Sequence, residues 1–221
     1  MKPVAITMFS ALLLAAISCN DSGKTDSAAP AKTDTAKKDT ASATKMDAPP
    51  PPMDSAAAMK AMADYGTPGE PHKMLAAQDG AWNEEITMWM APGAPPQTMK
   101  ASCVNKMIMG GRYQQSVNKG SFNGMPFEGV STVGYDNAKK VFISNWYDNM
   151  GTGMITLEGP WDAATKSVTF KGKEVDPTIG KEIDIKQVMT FIDDKNQKME
   201  MYTTPPGGKE YKSMEIKFTK K

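Results

Sequence analysis

Residues 127–148 read FEGVSTVGYDNAKKVFISNWYD, and this stretch decides the fold. Two runs rich in β-branched and aromatic residues, 127–135 and 141–148, flank a turn at Asp136-Asn137. Such runs fit a pleated strand, whose side chains alternate between two faces. A short polar link between them makes the strands antiparallel neighbours.

The same pattern extends both ways. Upstream, Trp82, Glu84, Ile86, Met88 and Met90 share one face of a first strand, and Cys103, Asn105, Met107 and Met109 share a face of a second. Gly110-Gly111 reads as a tight hairpin turn, with 112–119 returning. Downstream, residues 149–153 turn the chain. Strands at 154–158, 168–172, 183–192, 199–203 and 211–219 follow, punctuated by Asp176-Pro177, Asp193-Asp194 and 205–208. A short helix at 71–78 leads into Gly80-Ala81-Trp82. About ten strands joined by short turns expose two edges unless the sheet closes. The expectation is therefore an all-β, antiparallel up-and-down barrel, large enough to hold a cavity, with a two-sheet sandwich as the runner-up.

The folding unit is not the whole chain of 221 residues. Residues 20–64 contain no Val, Ile, Leu, Phe, Tyr or Trp, so they cannot bury enough surface to offset their ordering entropy. One domain at 70–221 is expected, preceded by a signal peptide at 1–18, a disordered Ala/Thr/Asp/Lys/Pro-rich tether at 19–54, and a short helix with connector at 55–69. In that helix Asp54 or Ser55 is the N-cap and Gly66 the stop.

The N-terminus carries an address. Lys2 precedes an apolar run from Val4 to Ile17, too short to span a bilayer comfortably and suited to the core of a signal peptide. Ala15-Ala16-Ile17-Ser18-Cys19 resembles a bacterial lipobox, in which the Cys19 thiol takes a diacylglyceryl group and becomes the mature N-terminus. Ala16 stands where that pattern usually has Leu. Ordinary cleavage near Ser18 is the alternative. Lipidation places the protein in the bacterial cell envelope, on a periplasmic or outer-surface face, touching membrane through its anchor only. It also leaves Cys103 without a partner, as an inert buried thiol in a strand.

The ordered set His72-Lys73-Met74-Leu75, Gly80-Ala81-Trp82, Gly110-Gly111-Arg112, Pro126-Phe127-Glu128-Gly129, Gly134-Tyr135-Asp136, residues 146–152 (WYDNMGT) and Met214-Glu215-Ile216 is similar to a bacterial family, domain of unknown function 1579. The resemblance covers nearly all of residues 70–221. The helix followed by Gly80-x-Trp82 also resembles the opening of calycin barrels. A calycin-like barrel is what the resemblance implies, with no catalytic residues to carry over.

Charge balances, with 26 basic and 25 acidic residues, and no basic block marks a nucleic-acid or anionic-membrane surface. His72 is the only histidine, read as capping or packing beside the helix, and no zinc-ligand spacing occurs. No metal site or cofactor is expected. Met88-x-Met90, Met107-x-Met109 and Met199-x-Met201 have the spacing of soft Cu(I) ligands, but on the apolar face of strands they read as core packing or cavity lining.

Four residues are candidates for a ligand cavity or for barrel closure: Trp82, Arg112, Tyr135 and Trp146. Arg112 is the only arginine. It reads as stacking over a Trp near a closed end, as binding a ligand carboxylate, or as a chance surface residue. Glu84, Glu128 and Asp148 are carboxylates that alternation allows to face inward, with nothing pairing them. No nucleophile elbow, phosphate loop or dinucleotide fingerprint is present. The first functional reading is a non-enzymatic module that holds a small apolar or amphipathic ligand inside the barrel. A fully packed interaction or structural module is the alternative. An envelope enzyme using cavity carboxylates ranks below both.

Overall fold

The structure is a computed structural model that describes residues 54–221. The signal, Cys19 and all of the tether but Asp54 lie outside the described residues. Helix α1 spans Ser55–Gly66, with Asp54 accepting from the Ala56 amide, and α2 spans Glu70–Ala76. Eleven strands follow: β1 Gly80–Met88, β2 Gln97–Ile108, β3 Tyr113–Phe122, β4 Met125–Asp136, β5 Val141–Asp148, β6 Ile155–Gly159, β7 Trp161–Asp162, β8 Ser167–Asp176, β9 Lys181–Phe191, β10 Asn196–Thr204 and β11 Tyr211–Lys220.

All pairings are antiparallel. Each strand from β1 to β5 pairs with the next, β6 pairs with β8, β8 to β11 pair in order, and β11 returns to β1. The ring therefore closes with ten strands. The two-residue β7 lies outside that ring, paired only with the start of β8. Pro160 accounts for this: without an amide hydrogen it interrupts the ladder between β6 and β7. Gly159 allows the same passage, because a Cβ there would collide with the Thr169 carbonyl.

The turns follow their chemistry. Asn123-Gly124, both at positive φ, form a two-residue hairpin turn between β3 and β4. At the β4–β5 turn, Asp136 Oδ1 accepts from the amides of Ala138 and Lys139 at 2.8 and 3.0 Å. This holds the carboxyl of Asp136 below its ordinary value. The Asn137 amide of the same turn donates to the carbonyls of Tyr65 and Thr67, both at 2.9 Å. That bond is what ties α1 to the barrel, since α1 buries none of its own residues.

Helix α2 closes one end. His72 Nδ1 accepts from the Gly69 amide at 2.9 Å and its ring meets Tyr135 edge-on. Leu75 inserts into a core with Phe142, Leu157, Val168, Phe170, Ile183 and Ile185. The residues after α2 latch the wall. Gln78 O accepts from Trp82 Nε1 at 3.0 Å and from Asn105 Nδ2 at 3.2 Å. Gln114 Nε2 donates to Leu75 O at 2.5 Å and Asp79 Oδ1 at 3.0 Å. Asp79 Oδ2 accepts from the Met107 amide at 2.9 Å, and Gln197 donates to Gln78 Oε1. Together these bonds join α2 and its C-terminal link to four strands, β1, β2, β3 and β10.

Two expectations about shared faces are corrected. Met90 lies beyond the end of β1 and is 64% exposed, and Met109 sits at positive φ in the β2–β3 turn, 70% exposed. Each strand ends before the pattern does, so neither residue continues an inward row. Met199 and Met201 do face inward together.

Candidate functional site

Register and burial define the lumen. On β1 Trp82, Glu84 and Ile86 are buried while Asn83 and Glu85 are exposed, so the even-numbered residues face inward. Cross-strand partners share a face. Pairing therefore places Cys103, Asn105, Gln114, Ser116, Asn118 and Ser131 inside on β2 to β4. This side of the lumen sets those polar groups among the buried Trp82, Ile86 and Cys103. The opposite side, from β5, β6, β8 and β9, holds the larger apolar cluster, with Phe142, Leu157, Phe170 and Ile185, together with the inward Ser144, Asp148 and Glu174. β10 and β11 add Met199, Met201, Ile216 and Phe218.

Several inward residues remain partly accessible although a closed wall surrounds them. Ser131, Val133, Trp146, Met201, Ile216 and Phe218 are half-buried rather than buried. These side chains are therefore less tightly enclosed than Phe142 or Ile185. At the end of the barrel away from α2, a concavity of about 290 Å³ is lined by Met88, Gln97, Met99, Phe122 and Asn123. A second, of about 540 Å³, lies on the outer wall among Lys171, Lys173, Asp184, Lys186 and Glu210. The charges there pair with one another, as Lys186 does with Glu210 at 2.5 Å.

The four candidate residues separate into different places. Trp82 is fully buried at the closed end, bonded to Gln78 O. Tyr135 lies at the same end, between His72 and Phe142, its ring centroid 5.0 Å from that of Phe142. Trp146 stands further along the barrel. Its ring stacks on Phe127 at 6.3 Å, and its Nε1 donates to Asp148 Oδ2 at 2.8 Å. The ring lies on Gly129, where a Cβ would come within 2.5 Å of it. Asn149 secures the neighbouring loop by accepting from the Glu128 amide and donating to Pro126 O, both at 3.0 Å.

Arg112 is not in the lumen. It is exposed in the β2–β3 turn, its guanidinium donating to Met109 O at 3.2 Å. The cation over Trp82 is Lys220, with Nζ 5.4 Å from the ring centroid and donating to Ala77 O at 3.1 Å. The register that closes the barrel decides this, because it sets Lys220 opposite Trp82.

Three carboxyls face the lumen: Glu84, Asp148 and Glu174. Glu128 instead faces outward toward Lys119, at 3.6 Å. Burial pushes the Glu84 carboxyl above its ordinary value, opposed by a hydrogen bond with the Cys103 thiol. Glu174 is raised first by burial and then by the negative charges of Asp176 and Asp148. The Cys103 thiol is pushed up to about 12, mainly by burial and then by Glu84, which makes it unreactive at neutral pH. His72 is lowered, chiefly by burial. Sequence reasoning missed Glu174, Gln114 and Asn118. Counting alternate positions from Phe170 would have placed Glu174 inside; Gln114 and Asn118 needed the pairing of β3 with its neighbours.

Among the described residues, no group of three His, Cys, Asp or Glu side chains is arranged to hold a metal ion. What the fold and interior define is a calycin-like β-barrel: ten antiparallel strands around a lumen lined by both polar and apolar side chains. The chain belongs to the protein family of unknown function DUF1579, whose family model matches residues 67–220. No curated protein sequence matches it. Among solved structures it is similar to Rv2717c from M. tuberculosis, with 11% identity and a TM-score of 0.51, over 69% of this chain and 98% of that one. A redesigned β-barrel also matches at 11% identity and a TM-score of 0.36, over 66% of this chain and 94% of that one.

Proposed function

We propose that this protein is a lipid-anchored component of the bacterial cell envelope that holds a small apolar or amphipathic molecule inside its barrel. The observation that carries the binding half is the row of half-buried inward side chains within a closed wall. The Cys19 lipobox and the tether, read from the sequence, support the location. The two-sided lining suits an amphipathic occupant, which rests its apolar body on Ile216 and Phe218 and its polar end on the β1–β4 side.

The full chain, purified gently from its own membranes, should carry a stoichiometric lipophilic adduct in native mass spectrometry, identified by lipid extraction of the same sample. A clean ligand-free mass, together with no saturable uptake of a hydrophobic dye, would replace this reading with a packed interaction module.

A further inference from the structure

The lumen's charges narrow the class of ligand. Resting on the binding reading above, we infer that the barrel takes uncharged or cationic amphiphiles and rejects fatty acids and other anions. The three inward carboxyls come from β1, β5 and β8, so an occupant meets acidic groups from separate parts of the wall. Among the described residues, two basic side chains stand in the inward register: Lys220, committed at the closed end to Trp82 and the Ala77 carbonyl, and Lys181, exposed at the start of β9 opposite Asp176. Arg112 is outside. An anionic head entering past Lys181 would give up its hydration and meet acids in the interior of the lumen.

Glu84 supplies the positive half of the argument. It is 3% exposed, aimed inward, and absent from the ion pairs formed among the described residues. Its carboxyl is met by the Cys103 thiol, a weak donor that itself bonds Ser116. A carboxylic acid so buried has a hydrogen-bonding capacity that the protein leaves underused. A hydroxyl or an ammonium head can donate to this carboxyl whether or not it carries its proton, whereas a carboxylate can only accept.

The test compares probes of one chain length on the full chain: dodecanol, dodecylammonium and dodecanoate, each displacing Nile red at neutral pH. Dodecanoate should bind about tenfold more weakly than the better of the other two. Glu84→Leu should weaken dodecanol about tenfold, whereas Glu84→Gln, which keeps the shape and a donor, should retain it. Dodecanoate binding as tightly as dodecanol or dodecylammonium would overturn the charge selection. Unchanged dodecanol affinity in a folded Glu84→Leu protein would remove Glu84 from it. If Nile red itself never saturates, the binding reading fails and this inference with it.

Discussion

The two sides of the barrel enclose one lumen in different proportions of apolar and polar lining. From β5 to β9 the wall presents Phe142, Leu157, Val168, Phe170, Ile183 and Ile185, all buried and packed with Leu75 of α2. From β1 to β4 it presents Glu84, Asn105, Gln114, Ser116 and Asn118. Burial of the first set is favourable at about 25 cal/mol per Å² of apolar surface, whereas each buried polar group costs unless it is bonded. The polar side meets much of that cost through backbone partners, although Asn105 Oδ1 is buried without one. Gln114 bonds Leu75 O, and Asn118 bonds the carbonyls of Ser116 and Gly129 at 3.2 and 3.3 Å. Glu84 has no such partner, which is why the comparison points to it.

Three substitutions probe that division, in order of falling effect on the fold. Phe142→Ala empties a fully buried position of the apolar side and should cost about 3–5 kcal/mol, read as a lower urea midpoint. A cost under about 1 kcal/mol would mean that this side is not the stabilising one. Gln114→Leu leaves Leu75 O and Asp79 Oδ1 without this donor. It should cost about 1–3 kcal/mol and loosen α2, visible as faster amide exchange at His72 and Leu75.

Glu84→Gln has the smallest effect, and its sign depends on pH. Burial raises the folded carboxyl above the usual 4.5, so the folded chain holds this proton more tightly than the unfolded one. The stability linked to that proton is fully present below about pH 4.5 and is lost as pH rises through the raised value. The amide carries no such loss. Thermal melts should therefore show Glu84→Gln gaining on the parent as pH rises and the gap closing in acid. A gap independent of pH would contradict the burial of an ionisable group there.

The strand alternation was legible because it is local. The β5 prediction agrees with the observed Val141–Asp148, since a β-branched and aromatic run between two turns leaves one reading. Other boundaries were less visible. The pattern ended β3 at Lys119, whereas the strand continues to Phe122, because Asn123-Gly124 rather than hydrophobicity sets the reversal. Likewise β8 runs on to Asp176 through Lys171, Lys173 and Glu174, whose charges resemble a loop in one dimension.

Which residues meet across the barrel was beyond that reading. Period two says that Trp82 and Glu84 share a face. It does not say that Lys220 lies over Trp82, that Gln114 reaches Leu75, or that Asp148 and Glu174 sense one another. Those meetings depend on the stagger at which β11 closes on β1 and β6 on β8, a property of the whole ring. Sequence alone determined the all-β class, the alternation and the family resemblance, because each rests on neighbouring residues and their spacing. Only the tertiary structure decided that Arg112 stays outside, which polar groups share the lumen, and that Glu84 stands inside it without a strong partner, because those facts arise when distant strands close into a ring.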